Sequence, residues 1–367
     1  MSTMTAPILA ADRTAARQTR VACFPPLSTN PYQRLLYAAL GEHGVELVGQ
    51  ARLKLEWLVR SRRRVDVLHF HWPEGYYRFR AGPASLRGLL SWLNLAAFAV
   101  RIAAARLLGY RIVWTVHQVV PHESHGAIDH VAARLLGRLA QRLVAHDRHT
   151  AEEVRRRLRR EAVVIPHGSF VGAYPAGRGG DEARRELALE RDDLVFLLFG
   201  HLRAYKDLGV VLDAWRLASL PHAKLIIAGM PDPGAPLARI ESAASETRSI
   251  VALLDFVPDE RVAELFKASD AAIVARSDGG TSGALVLALS FGLPVVYGTL
   301  PTYVELTGGE SAGWGFAPGD PASLARTLAA VAADPVARRE RSLRAQEAVV
   351  RLDWGPISAA TARVLAP

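Results

Sequence analysis

The chain contains one cysteine, Cys23, in 367 residues, which excludes a disulfide framework and suits a reducing compartment. No cysteine–histidine spacing of the structural-zinc kind occurs, and no basic motif interleaved with aromatics of the RNA-reading kind does either. Clean apolar runs are short. The longest apolar stretch, Leu86 to Leu108, is broken by Arg87, Arg101 and Arg106. Its uninterrupted part, Gly88–Val100, falls short of the roughly 20 residues that a spanning helix needs. Residues 1–18, rich in Ala, Thr and Arg, have no apolar segment followed by a cleavage site, and read as a tail, not a signal peptide. A cytoplasmic protein is the resulting expectation.

What is present points to a folded chain. Half of the residues are hydrophobic and 22% are charged, which excludes a disordered polyelectrolyte, and the length exceeds what one typical core holds, so two domains are expected. The formal net charge is +9, carried by arginine runs such as Arg62-Arg63-Arg64 and Arg155-Arg156-Arg157. With nucleic-acid motifs missing, the candidate partners are anionic small molecules or an anionic membrane face. In the long apolar stretch Leu86, Leu89, Leu90, Leu93, Ala97, Val100, Ala104 and Leu107 recur at helical spacing, and Trp92, Leu95, Phe98 and Ile102 form a second stripe. This segment is either a helix packed on a sheet or one partly inserted into a membrane face.

Short apolar strands alternate with helical patterns, the signature of βαβ units. In the first half, strands are expected at Arg20–Phe24, Gly44–Gly49, Val65–Phe70, Arg111–Val116, Arg142–Ala145 and Ala162–Ile165. Helices are expected at Tyr32–His43, Ser85–Leu108, Ala127–Leu139 and Ala151–Arg160, the last capped by Thr150. The chain turns polar between Gly172 and Asp193, where a domain boundary is expected. A second series follows, with strands Leu194–Phe199, Lys224–Ala228, Val251–Asp255, Ala271–Val274 and Pro294–Tyr297. Its helices are Asp207–Ala218, Asp259–Lys267, Ser282–Phe291 and Pro321–Ala333, and a helical pattern from Arg339 to Leu365 is interrupted by "LDWGP". The expected class is α/β, with two Rossmann-like domains facing a central cleft where ligands bind.

Three stretches of the second half suit a nucleoside diphosphate. In "FGHLRAYKD" (199–207), Gly200 lets backbone approach a ligand, and Arg203 and Lys206 offer a planar fork and a point charge for phosphate oxygens. In "DFVPDERVAELF" (255–266), the backbone at Phe256 and Val257 is placed to read a base edge. In "DGGTSG" (278–283), Thr281, Ser282 and Gly283 open a helix, where free N–H groups and the helix dipole favour an anion.

With "SGALVLALSFGLPVV" following, the chain resembles the GT-B glycosyltransferases that use nucleotide sugars. The resemblance is strongest over 199–207 and 275–305. It implies a donor nucleoside-diphosphate sugar held by residues 190–340, with Arg203 and Lys206 on the diphosphate and Thr281 and Ser282 at its distal phosphate. It further implies an acceptor bound by residues 19–180, and a C-terminal segment, 341–367, with a return to the first half as one option. No metal is implied, and no Asp-x-Asp site stands out. The Glu-x7-Glu pair of many retaining members is missing: Gly279 and Leu287 stand at those positions. Inversion then becomes the expectation, with a general base on the acceptor side.

Two strand ends supply candidates for that base. "DVLHFHWPEGYYRF" (66–79) brings His69, His71 and Glu74, followed by aromatics that suit a sugar; "WTVHQVVPHESH" (114–125) brings His117, His122, Glu123 and His125. Ligand spacing on these strand ends is poor for a metal. Glu74 and Glu123 lead as bases, and the residues do not choose between them. The stretches "HFHWPE" and "TVH" resemble bacterial exopolysaccharide transferases, β-mannosyl ones included, in which the histidine matching His117 lies near the donor sugar. The loop "PPLSTNPYQRLL" (25–36) would place Ser28, Thr29 and Asn30 along the cleft, with Gln33 and Arg34 on the first helix turn. By resemblance the donor is GDP-mannose and the acceptor a lipid-linked oligosaccharide or a soluble natural product, with peripheral contact at the inner membrane face and no nucleic acid. A nucleotide-sugar epimerase and a non-catalytic nucleotide-sugar-binding partner are the competing readings.

Overall fold

The computed structural model describes residues 18–27, 31–48, 52–79, 83–120, 126–277 and 279–366. Ser28, Thr29, Asn30, His122, Glu123 and His125 of the expected cleft lie outside them, as does most of the N-terminal tail.

Two six-stranded, all-parallel sheets make up the chain. The first contains β1 (Thr19–Phe24), β2 (Val45–Leu47), β3 (Val67–Phe70), β4 (Arg111–Val116), β5 (Arg142–Ala145) and β6 (Val163–Val164), in the order β2-β1-β3-β4-β5-β6. The second contains β7 (Leu194–Phe199), β8 (Ala223–Ala228), β9 (Ile250–Leu253), β10 (Ala271–Val274), β11 (Val295–Gly298) and β12 (Gly313–Phe316), in the order β12-β11-β10-β7-β8-β9. The central strands β3, β10 and β11 are buried at every residue, as parallel strands covered by helices on both faces must be. In each sheet the strand order reverses beside the first strand, between β1 and β3 and between β7 and β10. There the connections run to opposite faces and leave a crevice at the carboxyl ends of the strands.

The polar stretch after Gly172 is more than a linker. It holds a helix, Gly180–Glu186, and Arg178 and Arg184 tie this region to Glu264 and Asp270 of the second half. At the other end, helix Trp354–Leu365 packs on helix Pro31–Gly41 of the first half. Trp354 Nε1 donates to Ser169 O at 2.8 Å, and Arg111 donates to Val364 O at 3.1 Å.

Several local expectations need correcting. Helix Arg148–Leu158 is capped by Asp147, whose Oδ1 accepts from Thr150 N at 2.7 Å, so Thr150 lies inside the first turn. Strand β12, "GWGF", carries two glycines that hide its strand propensity. In helix Ala84–Leu107 the buried face is Leu95, Phe98, Ile102 and Ala105. The stripe that begins at Leu86 points the other way: Leu86, Leu89, Leu93, Val100 and Leu107 are exposed.

Candidate active site

The crevices of the two sheets face each other across a cleft of about 1090 Å³. Gly200, Arg203, Lys206, Phe256, Val257, Thr281, Ser282 and Gly283 line one wall, and Glu74 and His117 line the other. These ten residues share one cleft, whereas His69, His71, Gln33 and Arg34, also considered from the sequence, do not line it.

On the donor side, β7 is followed by Gly200, whose φ of +97° lies in the left-handed region. The chain turns back through a 3-10 turn, Ala204–Lys206, and the Lys206 ammonium donates to Phe199 O at 3.1 Å. Burial in the cleft wall, with Arg276 and Arg203 nearby, pushes Lys206 down to about 7. Arg203 pairs with Asp232 just beyond β8, Nε to Oδ2 at 2.6 Å.

A third cation was not singled out from the sequence. Arg276, two residues past β10, is only 7% exposed, yet its Nε and Nη2 make no hydrogen bond among the described residues. Its guanidinium carbon stands 4.6 Å from the centroid of the Tyr205 ring, with the Tyr303 hydroxyl as a neighbour. Its signal in the sequence was its place between a strand end and the glycine-rich loop.

The loop itself differs from expectation in detail. Ser282, 6% exposed, caps helix Gly283–Ser290 by accepting from Leu285 N at 3.4 Å. Thr281 donates to Asp147 Oδ2 at 2.8 Å, so its hydroxyl is turned to the first half and away from a phosphate. The groups at the helix start that have no intrahelical acceptor are the N–H groups of Gly283 and Ala284. Gly279 and Leu287, where carboxylates would stand in many retaining relatives of the fold, are a glycine at φ +115° and a buried leucine on the cleft wall.

The opposite wall rests on a buried histidine cluster. Thr115 Oγ1 contacts His69 Nε2 at 2.8 Å, His69 Nδ1 contacts Tyr37 Oη at 2.8 Å, and Tyr37 Oη contacts His71 Nε2 at 3.4 Å. His71 Nδ1 then reaches His117 Nε2 at 3.2 Å. His146 and His167 pack alongside. Burial and the neighbouring imidazoles hold His69, His71 and His117 well below the usual histidine range. Among the described residues this hydrogen-bonded chain ends in a threonine hydroxyl and includes no carboxylate. His117 is therefore neutral, able to orient a hydroxyl but poor at holding a proton's charge.

Trp72 stacks on His117 with ring centroids 4.3 Å apart and planes 16° apart, and shares the cleft wall with Phe79. Glu74 opens the short helix Glu74–Tyr77, where its Oε1 accepts from Gln118 Nε2 at 3.4 Å. Gln33 is fully buried, donating to Cys23 Sγ at 3.0 Å, which takes it out of the cleft.

Comparison with known proteins bears on this geometry. Residues 180–348 match the family described as Glycosyl transferases group 1. Two proteins of Xanthomonas campestris pv. campestris, each named GDP-mannose:glycolipid 4-beta-D-mannosyltransferase, are similar in sequence. One is 29% identical over 272 residues, 74% of this chain and 70% of the relative. The other is 28% identical over 292 residues, 80% of this chain and 76% of the relative. Among solved structures, Anabaena HepE in complex with UDP superposes with a TM-score of 0.72 at 16% identity, covering 95% of this chain and 99% of that one. WaaG, a glycosyltransferase of lipopolysaccharide biosynthesis, gives 0.63 at 13% identity, covering 95% and 99%. These structural likenesses show the fold.

Proposed function

We propose that this chain, a GT-B glycosyltransferase whose residues 180–348 form a group 1 glycosyl transferase domain, transfers a mannosyl group from GDP-mannose to a hydroxyl of a glycolipid, with inversion and without a metal. The observation that carries the reading is the convergence of Arg203, Lys206, Arg276 and a helix N-terminus on one cleft wall, opposite Glu74, His117 and Trp72. The choice of GDP-mannose and glycolipid is supported by the names of the Xanthomonas relatives.

In this mechanism the acceptor hydroxyl attacks the anomeric carbon on the face opposite the diphosphate. The carbon–oxygen bond to the β-phosphate breaks, and the acceptor's proton passes to Glu74. Such an attack turns an α-linked donor into a β-linked product, the linkage in the relatives' names. Charge developing on the leaving diphosphate meets Lys206, Arg276 and the N–H groups of Gly283 and Ala284, already in place before the reaction. Neutral His117 orients a sugar hydroxyl, and the Trp72 and Phe79 rings give sugar faces an apolar surface. Leu287 and Gly279 provide no carboxylate beneath the donor sugar, which removes the groups a retaining site of this fold uses.

The glycolipid would be reached from a membrane face. The exposed row of helix Ala84–Leu107 continues into exposed Leu55 and Val59 on helix Leu55–Ser61, with Arg62, Arg63, Arg64, Arg87 and Arg106 exposed around it. The helix is long and apolar enough to cross a bilayer. Its opposite face, however, is committed to the core at Leu95, Phe98, Ile102 and Ala105, so it lies along a bilayer surface at the cytoplasmic side, basic side chains toward anionic headgroups.

The test is thermal stability against GDP, UDP, TDP and ADP in the presence of a chelator, followed by transfer from GDP-mannose to lipid extract with the product's anomeric configuration read by NMR. Selective stabilisation by GDP, about 2.7 kcal/mol at 100 times its Kd, and a β-linked product are expected. No stabilisation by any of the four, or an α-linked product, refutes the reading.

A further inference from the structure

Asp147 takes no part in the mechanism above, yet it is among the most densely bonded side chains near the cleft. It follows β5 in the first half and is 2% exposed. Each of its oxygens accepts one bond from its own helix and one from the second half. Oδ1 takes Thr150 N at 2.7 Å and Thr302 Oγ1 at 3.1 Å. Oδ2 takes Thr150 Oγ1 at 2.8 Å and Thr281 Oγ1 at 2.8 Å. Thr281 belongs to the loop that leads into helix Gly283–Ser290, and fully buried Thr302 to helix Pro301–Thr307.

A second contact works at the same place. Gly280 sits so close to the first half that a Cβ there would lie 2.8 Å from His117 O and 3.2 Å from Thr150 Oγ1. The loop is thus seated on the backbone of His117 and fastened by a hydroxyl–carboxylate bond one residue further on. A carboxylate that served only to cap its own helix would have no need of two hydroxyls from across the cleft. Hydrogen bonds to a charged acceptor are the stronger kind.

We propose that Asp147 is the positioning residue of the donor loop: through Thr281 it sets the Gly283–Ala284 N–H groups in register with the acceptor wall. The inference rests on the donor-site reading above. The cations that bind the diphosphate, Arg203, Lys206 and Arg276, all belong to the second half and hold the nucleotide whether or not the loop is fastened. Register between donor and acceptor matters only when the sugar moves. Losing the fastening therefore lowers kcat and spares nucleotide affinity.

Replacing Asp147 would also uncap its helix, so the test uses Thr281. In Thr281→Val, which keeps the shape and removes the hydroxyl, kcat is expected to fall about tenfold to a hundredfold, while the Kd for GDP changes by less than about twofold. Thr281→Ser, which restores the hydroxyl, is expected to recover kcat. Hydrogen exchange of the amides at 280–285, measured without ligand, is expected to quicken in Thr281→Val and return to the wild-type rate in Thr281→Ser. Unchanged kcat and unchanged exchange in Thr281→Val would overturn the proposal, as would parallel losses in kcat and GDP affinity. If the wild-type protein binds no nucleoside diphosphate, the donor-site reading fails by itself, and the exchange rates still decide whether Asp147 holds the loop.

Discussion

Lys206 makes the proposed donor site sensitive to pH in a calculable way. Without a ligand its ammonium is pushed down to about 7 by burial, Arg276 and Arg203. A bound diphosphate brings opposite charge and raises it again. Binding must then take up a proton whenever the pH lies above 7, so affinity is full below that point and falls as pH rises. About half of the free protein carries the Lys206 proton at pH 7 and about one molecule in a hundred at pH 9, so apparent affinity should drop about fifty-fold, or about 2.3 kcal/mol. The last phosphate ionisation of the nucleotide, near 6, is about nine-tenths complete at pH 7 and so adds little slope over this range. Titration calorimetry with GDP at pH 7, 8 and 9, in two buffers of different ionisation enthalpy, measures both the slope and the proton uptake. Lys206→Met should bind weakly at all three values with no slope. A wild-type Kd constant from pH 7 to 9, without proton uptake, would refute the argument that Lys206 meets the diphosphate.

Other perturbations separate the parts of the site. Arg276→Gln should weaken GDP binding by about tenfold to a hundredfold without lowering the Tm of the free protein, because it removes a cation that repels Lys206. Glu74→Gln should lower kcat by about 10² to 10⁴ with the Kd for GDP unchanged, as measured by transfer assay and calorimetry. Leu89→Glu combined with Leu93→Glu should abolish sedimentation with vesicles containing phosphatidylglycerol while leaving the circular dichroism spectrum intact, since both side chains are exposed. Glu264, held down to about 2 mainly by its bond to Arg178, stabilises the fold above the usual carboxylate pKa and loses that contribution as pH falls toward 2. The Tm deficit of Glu264→Gln should accordingly be largest at neutral pH and shrink on acidification.

The sheets were legible because parallel strands buried on both faces leave unbroken apolar runs: "LVFLLF" and "RIVWTV" read as strands at the residues where β7 and β4 stand. Short helices such as Leu55–Ser61 and Pro301–Thr307 were not expected, since one or two turns carry too little periodicity to separate from a loop. Helix Ala84–Leu107 stands where it was expected, but both of its stripes are apolar, and periodicity cannot say which of two apolar faces meets the core. Its packing partners against Phe98, Tyr76 on the short helix Glu74–Tyr77 and Phe70 at the end of β3, lie more than 20 residues away, and only the fold brings them together.

The site divides along the same line. Gly200, Arg203 and Lys206 were readable because one strand and the turn after it carry them. Arg276 and Asp147 were not, because what marks them is the company they keep across the fold. An arginine beside a glycine loop is ordinary until burial at a cleft wall removes its water and leaves two of its nitrogens without a hydrogen bond among the described residues. An aspartate ahead of a helix is an ordinary cap until two threonines, 134 and 155 residues away, donate to it as well. The Asp147 bonds join elements of separate halves and do not exist until those halves have met, whereas Arg276 gathers Tyr205 and Tyr303 from within the second half. Substitution of Thr281 should therefore leave the folding of each half intact and be felt where the halves work together.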